Sequence, residues 1–105
     1  RLLIGTLREE GVLSNTLIAF TSDHGEMLGN HKMWGKRSFY ENSAKIPMII
    51  SGECIGNRNE ENTRLVGQID LMPTLLDICE IDHGLDLDGL SVFSSNSGLD
   101  ILFTF

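Results

Sequence analysis

The sequence predicts an α/β chain with an incomplete, mostly parallel sheet flanked by helices. Three observations lead there. Residues 16–21 (TLIAFT) and 46–50 (IPMII) are short continuous apolar runs of strand length, the pattern of strands buried on both faces. Segments with helical spacing lie outside the pair, at residues 1–10 and from Asp70 onward. A polar stretch punctuated by glycine, residues 25–36, separates the runs and has neither a helical nor a strand period.

Each element has its own local reason. In residues 1–10, Leu2, Leu3, Ile4 and Leu7 form an apolar stripe against Arg8, Glu9 and Glu10, and Gly11 is placed to end the helix. No capping residue precedes the stripe, so the helix begins in mid-pattern. Residues 16–21 read as a central parallel strand between Ser14-Asn15 and Ser22-Asp23-His24-Gly25. Stretch 25–36 is long enough that loop-length expectations make it either functional or disordered. After the second strand, residues 51–62 read as a polar loop. Asp70 is expected to cap a helix that tolerates Pro73 in its first turn and aligns Met72, Leu75, Leu76 and Cys79 on one buried face. Two or three strands do not complete a sheet that needs helices on both faces. The chain is therefore expected to be the C-terminal portion of a larger catalytic domain, with an upstream half elsewhere.

Composition narrows the function classes. The chain has 105 residues, 41% hydrophobic, 22% charged and 7% aromatic, a globular balance rather than that of a disordered tail or collagen. Eight basic and fifteen acidic residues give a net charge of −7, which argues against binding a nucleic acid backbone. No apolar run approaches the roughly 18 residues of a membrane span. Two cysteines, Cys54 and Cys79, are too few for a disulfide framework.

The chemistry gathers where the first strand ends. In open α/β sheets ligands bind outside the carboxyl ends of strands, where Asp23 and His24 stand. Asp offers a hard oxygen and His a neutral nitrogen, a pair suited to a divalent metal, and Gly25 permits a tight turn directly after them. His31 and Lys36 follow in the loop, giving an imidazole able to protonate a leaving oxygen and an ammonium able to offset an oxyanion. Taken singly these residues have plainer readings. An Asp-His-Gly after a strand makes a turn, Lys36 is a solvated cation, Trp34 packs, and Glu26 faces solvent.

The whole string changes that balance. TSDHGEMLGNHKMWGKRSFYE at positions 21–41, after an apolar strand and before IPMII, closely resembles the sulfatase family of the alkaline phosphatase superfamily. The likeness extends over residues 7–90, from LREEGVLSNTLIAFTSDHG to DLMPTLLDIC and the later Leu87-Asp88-Gly89, and residues 91–105 form a divergent tail. It implies a partial alkaline-phosphatase-like (sulfatase) fold and a fragment of a sulfuric ester hydrolase. By the same resemblance Asp23 and His24 are metal ligands, Lys36 contacts the sulfate group, and His31 lines the pocket; with the residue chemistry above, Lys36 and His31 are the candidate catalytic groups, and Trp34 is the candidate this segment offers for substrate contact. Calcium is the ion the resemblance favours, with manganese the alternative because imidazole is an unusual calcium ligand. The implied substrate is a sulfate ester, either a small molecule or a sulfated glycan.

Sulfatases attack with a formylglycine made from Cys or Ser in a C/S-x-P/A-x-R motif, expected here in the missing upstream part. Cys54 has Arg58 at the matching offset, but Gly56 replaces the Pro or Ala, and Cys54 is read as a surface cysteine and Cys79 as core. Asp82-His83-Gly84 echoes the earlier triplet without a strand before it and reads as a loop. Without the nucleophile the chain is expected to be inactive alone. The missing N-terminal half of the same domain is the expected partner, and two ligands fall short of the roughly six to eight oxygens calcium takes. Two alternatives stay open: a phosphonate or phosphate ester hydrolase of the same superfamily, and a non-catalytic remnant or interaction module.

Overall fold

The computed structural model describes residues 2–56, 61 and 63–94. The chain forms two compact units, residues 1–60 and 61–105.

In the first unit, helix α1 (Leu2–Glu9) ends as the glycine signal requires: Gly11 takes φ 70° and Val12 N–H donates to Leu7 O at 3.0 Å. Its apolar stripe is not buried, with Leu2 85% and Leu3 64% exposed. Strands β1 (Ile18–Thr21) and β2 (Met48–Ser51) pair with Ile18 opposite Ser51 and Phe20 opposite Ile49. The pairing is antiparallel, which corrects the parallel strand order expected from the apolar runs.

The connection between the strands explains the difference. A parallel pair needs a crossover that carries the chain back along the sheet, usually a helix of several turns. Between β1 and β2 the one α-helix is the single turn α2 (Glu41–Ala44), and the remainder folds back as loop. Burial on both faces is also corrected. Paired residues of an antiparallel ladder share a face. Phe20 and Ile49 form such a pair and are 58% and 57% exposed. Gly52 closes the strand end, where a Cβ would meet Leu17 and the Thr16 carbonyl within 3.3 Å.

Stretch 25–36 is ordered by its own backbone, although the sequence has no period there. Met27, fully buried, is the core of this loop, and Ser38 Oγ lies 3.1 Å from its sulfur. Gly29 donates to Met33 O at 2.9 Å, and Asn30 Nδ2 donates to Met27 O at 2.9 Å. These bonds hold a tight coil in which Leu28, His31 and Lys32 all take positive φ, a conformation that costs non-glycine residues energy and persists where the surroundings fix it.

In the second unit, α3 (Leu71–Ile78) follows a 3-10 turn, Gln68–Asp70. Asp70 occupies the N-cap position, but its carboxylate does not cap α3. It accepts from Gly67 N–H and Leu90 N–H, each at 2.8 Å. Asp70 is the last residue of the preceding 3-10 turn and has helical φ and ψ (−82°, −14°) rather than the extended backbone usual at an N-cap, so its carboxylate serves that turn; Pro73, without an N–H, also removes one of the two helical amides a cap could use.

Thr74, fully buried, serves as the polar hub instead, donating to Asp70 O and accepting from Val92 N–H at 3.0 Å. Gly89 fits against Ile69, whose carbonyl oxygen would lie 2.0 Å from an added Cβ. The face expected to be buried is partly open: Met72 is 53% exposed and Cys79 is exposed, which corrects its reading as core. Asp82-His83-Gly84 is a loop, with His83 Nδ1 accepting from Leu85 N–H. Residues 91–94 make a turn, and the rest of the divergent tail lies outside the described residues, as does Arg58. No helix among the described residues is long and apolar enough to cross a membrane.

Candidate metal centre and anion site

β1 delivers Asp23 and His24 just past its last paired residue, where the chain leaves the pleat. Their side chains converge. Asp23 Oδ2 lies 3.4 Å from His24 Nε2, and Asp23 Oδ1 accepts the His24 amide at 3.0 Å. Ser22 Oγ donates to the His24 carbonyl at 2.8 Å and fixes the turn from the other side.

The imidazole is oriented by its second nitrogen. His24 Nδ1 lies 2.6 Å from the Gly25 carbonyl, which accepts only, so Nδ1 carries the proton. The other ring nitrogen, Nε2, is then the one nearer the Asp23 carboxylate, 3.4 Å from Oδ2, an approach that either a proton on Nε2 or a cation shared by both atoms makes favourable.

The spacing tests the fit to a metal. Two ligand atoms ~2.3 Å from one cation and at right angles to each other stand roughly 3.3 Å apart, close to the separation of these two atoms. A ligating histidine typically donates its other N–H to a carbonyl or carboxylate, as His24 does. The pair therefore fits one edge of a divalent cation's coordination shell. Asp23 is 81% exposed at its side chain, so its carboxylate is open to solvent. Among the described residues no third Asp, Glu, His or Cys joins the pair.

Lys36 is exposed, and the backbone around it is held at two points. Gly35 N–H, one residue earlier, donates to Glu26 Oε1, and the Lys36 carbonyl accepts from Ser43 Oγ at 2.6 Å. Glu26 is thus half-buried and structural rather than directed to solvent. Gly25 N–H donates to Ser43 O at 2.8 Å and Glu26 N–H to Asn42 O at 2.7 Å, so the segment after His24 is laced to α2. Gly25 is required there by contact, because a Cβ would stand 2.1 Å from the Asn42 carbonyl oxygen.

His31 and Trp34 belong to the same loop but have other partners. The His31 ring stacks on Tyr40, with centroids 4.0 Å apart and planes 12° from parallel. Trp34 is 77% exposed and lies over Gly29, whose added Cβ would come 3.6 Å from its ring. Cys54 is exposed in a 3-10 turn after β2, as expected of a surface cysteine. Sequence reasoning missed Ser43 and the structural part of Glu26. A lone serine before the second apolar run has no spacing that would mark it.

Comparison with known proteins supplies the family. The sequence model of the Sulfatase family matches residues 1–81. The chain is 38% identical over 95 residues to "Arylsulfatase K" of Bos taurus, covering 90% of this chain and 17% of that protein. It is 39% identical over 89 residues to "Arylsulfatase" of Clostridium perfringens, covering 82% and 18%. "Choline-sulfatase" of Rhizobium meliloti is 40% identical over 79 residues, covering 75% and 15%. Among solved structures, the phosphonate monoester hydrolase of Agrobacterium radiobacter superposes with a TM-score of 0.78 at 34% identity, over 87% of this chain and 18% of that one. The chain thus spans less than a fifth of the length of each of these proteins.

Proposed function

Because this chain belongs to the sulfatase family, matched over residues 1–81, we propose that it forms the metal-side edge of the active site of a sulfuric ester hydrolase. The observation that carries this reading is the Asp23 Oδ2 to His24 Nε2 spacing of 3.4 Å, with the other imidazole nitrogen bound to a backbone carbonyl. Sulfatases as a family employ a divalent metal and a formylglycine nucleophile. In this reading the nucleophile comes from a segment other than this chain, which is inactive alone.

Asp23 and His24 hold the cation, with calcium expected and manganese the alternative. When bound, such an ion polarises a sulfate oxygen and offsets charge on the transferring group. Lys36 pairs its ammonium with the sulfate oxygens. His31 donates a proton to the departing alcohol oxygen, and Trp34 lies against the organic part of the ester. The substrate is a sulfate ester, a small molecule or a sulfated glycan.

A chimera tests the role of Lys36. Residues 1–81 of this chain replace the matching segment of the Clostridium perfringens arylsulfatase, and turnover of 4-nitrophenyl sulfate is measured with Lys36 and with Lys36→Ala. The expected loss is about 100-fold or more, the scale of removing one donor to a developing oxyanion. Equal turnover in the two chimeras would remove Lys36 from the chemistry.

A second reading has its own support in the likeness to the phosphonate monoester hydrolase. An Asp-His metal pair and a lysine serve a phosphonate ester equally well. Assaying the Lys36 chimera on the sulfate and phosphonate monoesters of one alcohol separates the readings. Preference for the sulfate is expected, and preference for the phosphonate would support the second.

A further inference from the structure

We infer that Ser43 is a positioning residue, linking the Lys36 backbone to the Asp23-His24 pair so that ammonium and cation face the same anion. The inference rests on the proposed metal centre and extends it to a residue with no polar group free for substrate. Ser43 is 3% exposed and uses its groups in three directions. Its N–H donates to Tyr40 O at 2.8 Å within the turn of α2, its hydroxyl donates to Lys36 O at 2.6 Å, and its carbonyl accepts from Gly25 N–H at 2.8 Å.

A serine in a short helix ordinarily returns its hydroxyl to a carbonyl three or four residues earlier. Ser43 instead reaches seven residues back, out of its helix, to the one lysine the site requires. The same residue holds the amide of Gly25, and Gly25 in turn supplies the carbonyl that orients His24. One buried side chain and its own backbone therefore join the two halves of the site through two hydrogen bonds. Glu26 assists by accepting from the Gly35 amide, in the Trp34–Gly35 peptide, and its neighbour Met27 donates its N–H to Gly35 O, the carbonyl joined to Lys36, at 3.0 Å. A metal-site ligand is only as well placed as the groups that support it.

The test uses the full 105-residue chain with Mn²⁺ as the probe, comparing the native protein with Ser43→Ala and Ser43→Thr. The readout is paramagnetic broadening of the His24 ring and the Lys36 side-chain signals. In the native chain both are expected to broaden. In Ser43→Ala the His24 broadening should persist while that at Lys36 falls several-fold, and Ser43→Thr, which keeps a hydroxyl, should restore it. Slow exchange of the Gly25 amide in each variant certifies that the loop remains seated against α2. Undiminished Lys36 broadening in Ser43→Ala with His24 still broadened would overturn the positioning role alone. Loss of Gly25 protection in Ser43→Ala, with Ser43→Thr showing the same weak Lys36 broadening, would reduce Ser43 to general stability and also overturn it. Because two ligands bind weakly, Mn²⁺ is raised well above the protein concentration, and absence of His24 broadening in the native chain even then would remove the metal centre and this inference with it.

Discussion

Gly25→Ala is expected to unseat the loop that carries the site. The φ of Gly25 is not in the left-handed region, so the obstacle is contact: the new methyl would stand 2.1 Å from Asn42 O and 2.9 Å from its carbonyl carbon. Neither is the end of a flexible side chain, so backbone must move. Moving it breaks the bonds from Gly25 to Ser43 and from Glu26 to Asn42, each contributing about 1 kcal/mol net. Overpacking adds about 1–3 kcal/mol. The combined cost of ~3–5 kcal/mol is a large share of the ~5–15 kcal/mol that holds an ordinary domain. Urea unfolding of the chain should show the loss directly. Gly5→Ala is the matched control, because nothing lies within 4 Å of a Cβ there and the residue is inside α1. That substitution should stabilise the helix by about 0.5–1 kcal/mol. Equal effects at the two glycines would contradict the contact argument.

The second large effect is expected at the ligand pair itself. In the chimera with the Clostridium perfringens arylsulfatase, Asp23→Ala and His24→Ala should each weaken divalent metal binding by at least ~100-fold, since losing even an outer partner of a metal ligand typically costs ~10–100-fold. Activity should fall in parallel and return partly at high metal concentration. Fluorescence or calorimetric titration with Ca²⁺ and Mn²⁺ measures the binding, and 4-nitrophenyl sulfate the turnover. The double variant should lose little beyond either single one, because both residues serve the same ion and their effects are not independent. Strictly additive losses would mean that the two side chains act at separate places.

These particulars show what could be read in advance. That the Asp23 and His24 side chains come together was legible because they are adjacent where the chain leaves a strand, and the string through Lys36 fixed the family. Helix α1 and its glycine stop were equally legible, since capping is local. Strand direction was not. Nothing local in TLIAFT or IPMII specifies a partner, and the loop-bound return through α2 set the antiparallel ladder. Burial of Phe20, Ile49, Leu2 and Cys79 was overestimated for a related reason. Apolar pattern records how much cover a segment needs, and the described residues of this chain leave these four exposed. Asp70 misled because its carboxylate is taken up by Gly67 and Leu90, the second of them twenty residues away, which local N-cap preference does not foresee. Ser43 and Glu26 escaped notice because their work is tertiary, with partners seven and nine residues away in the chain.

One spectroscopic measurement bears most directly on the shared cation. The 105-residue chain, its three histidines labelled with ¹⁵N, is loaded with Mn²⁺ and examined by electron spin-echo modulation. The account predicts coupling to a single imidazole nitrogen that disappears in His24→Ala, and a marked loss of bound Mn²⁺ in Asp23→Asn. Coupling that survives His24→Ala, or Mn²⁺ bound as tightly without the Asp23 carboxylate, would contradict it.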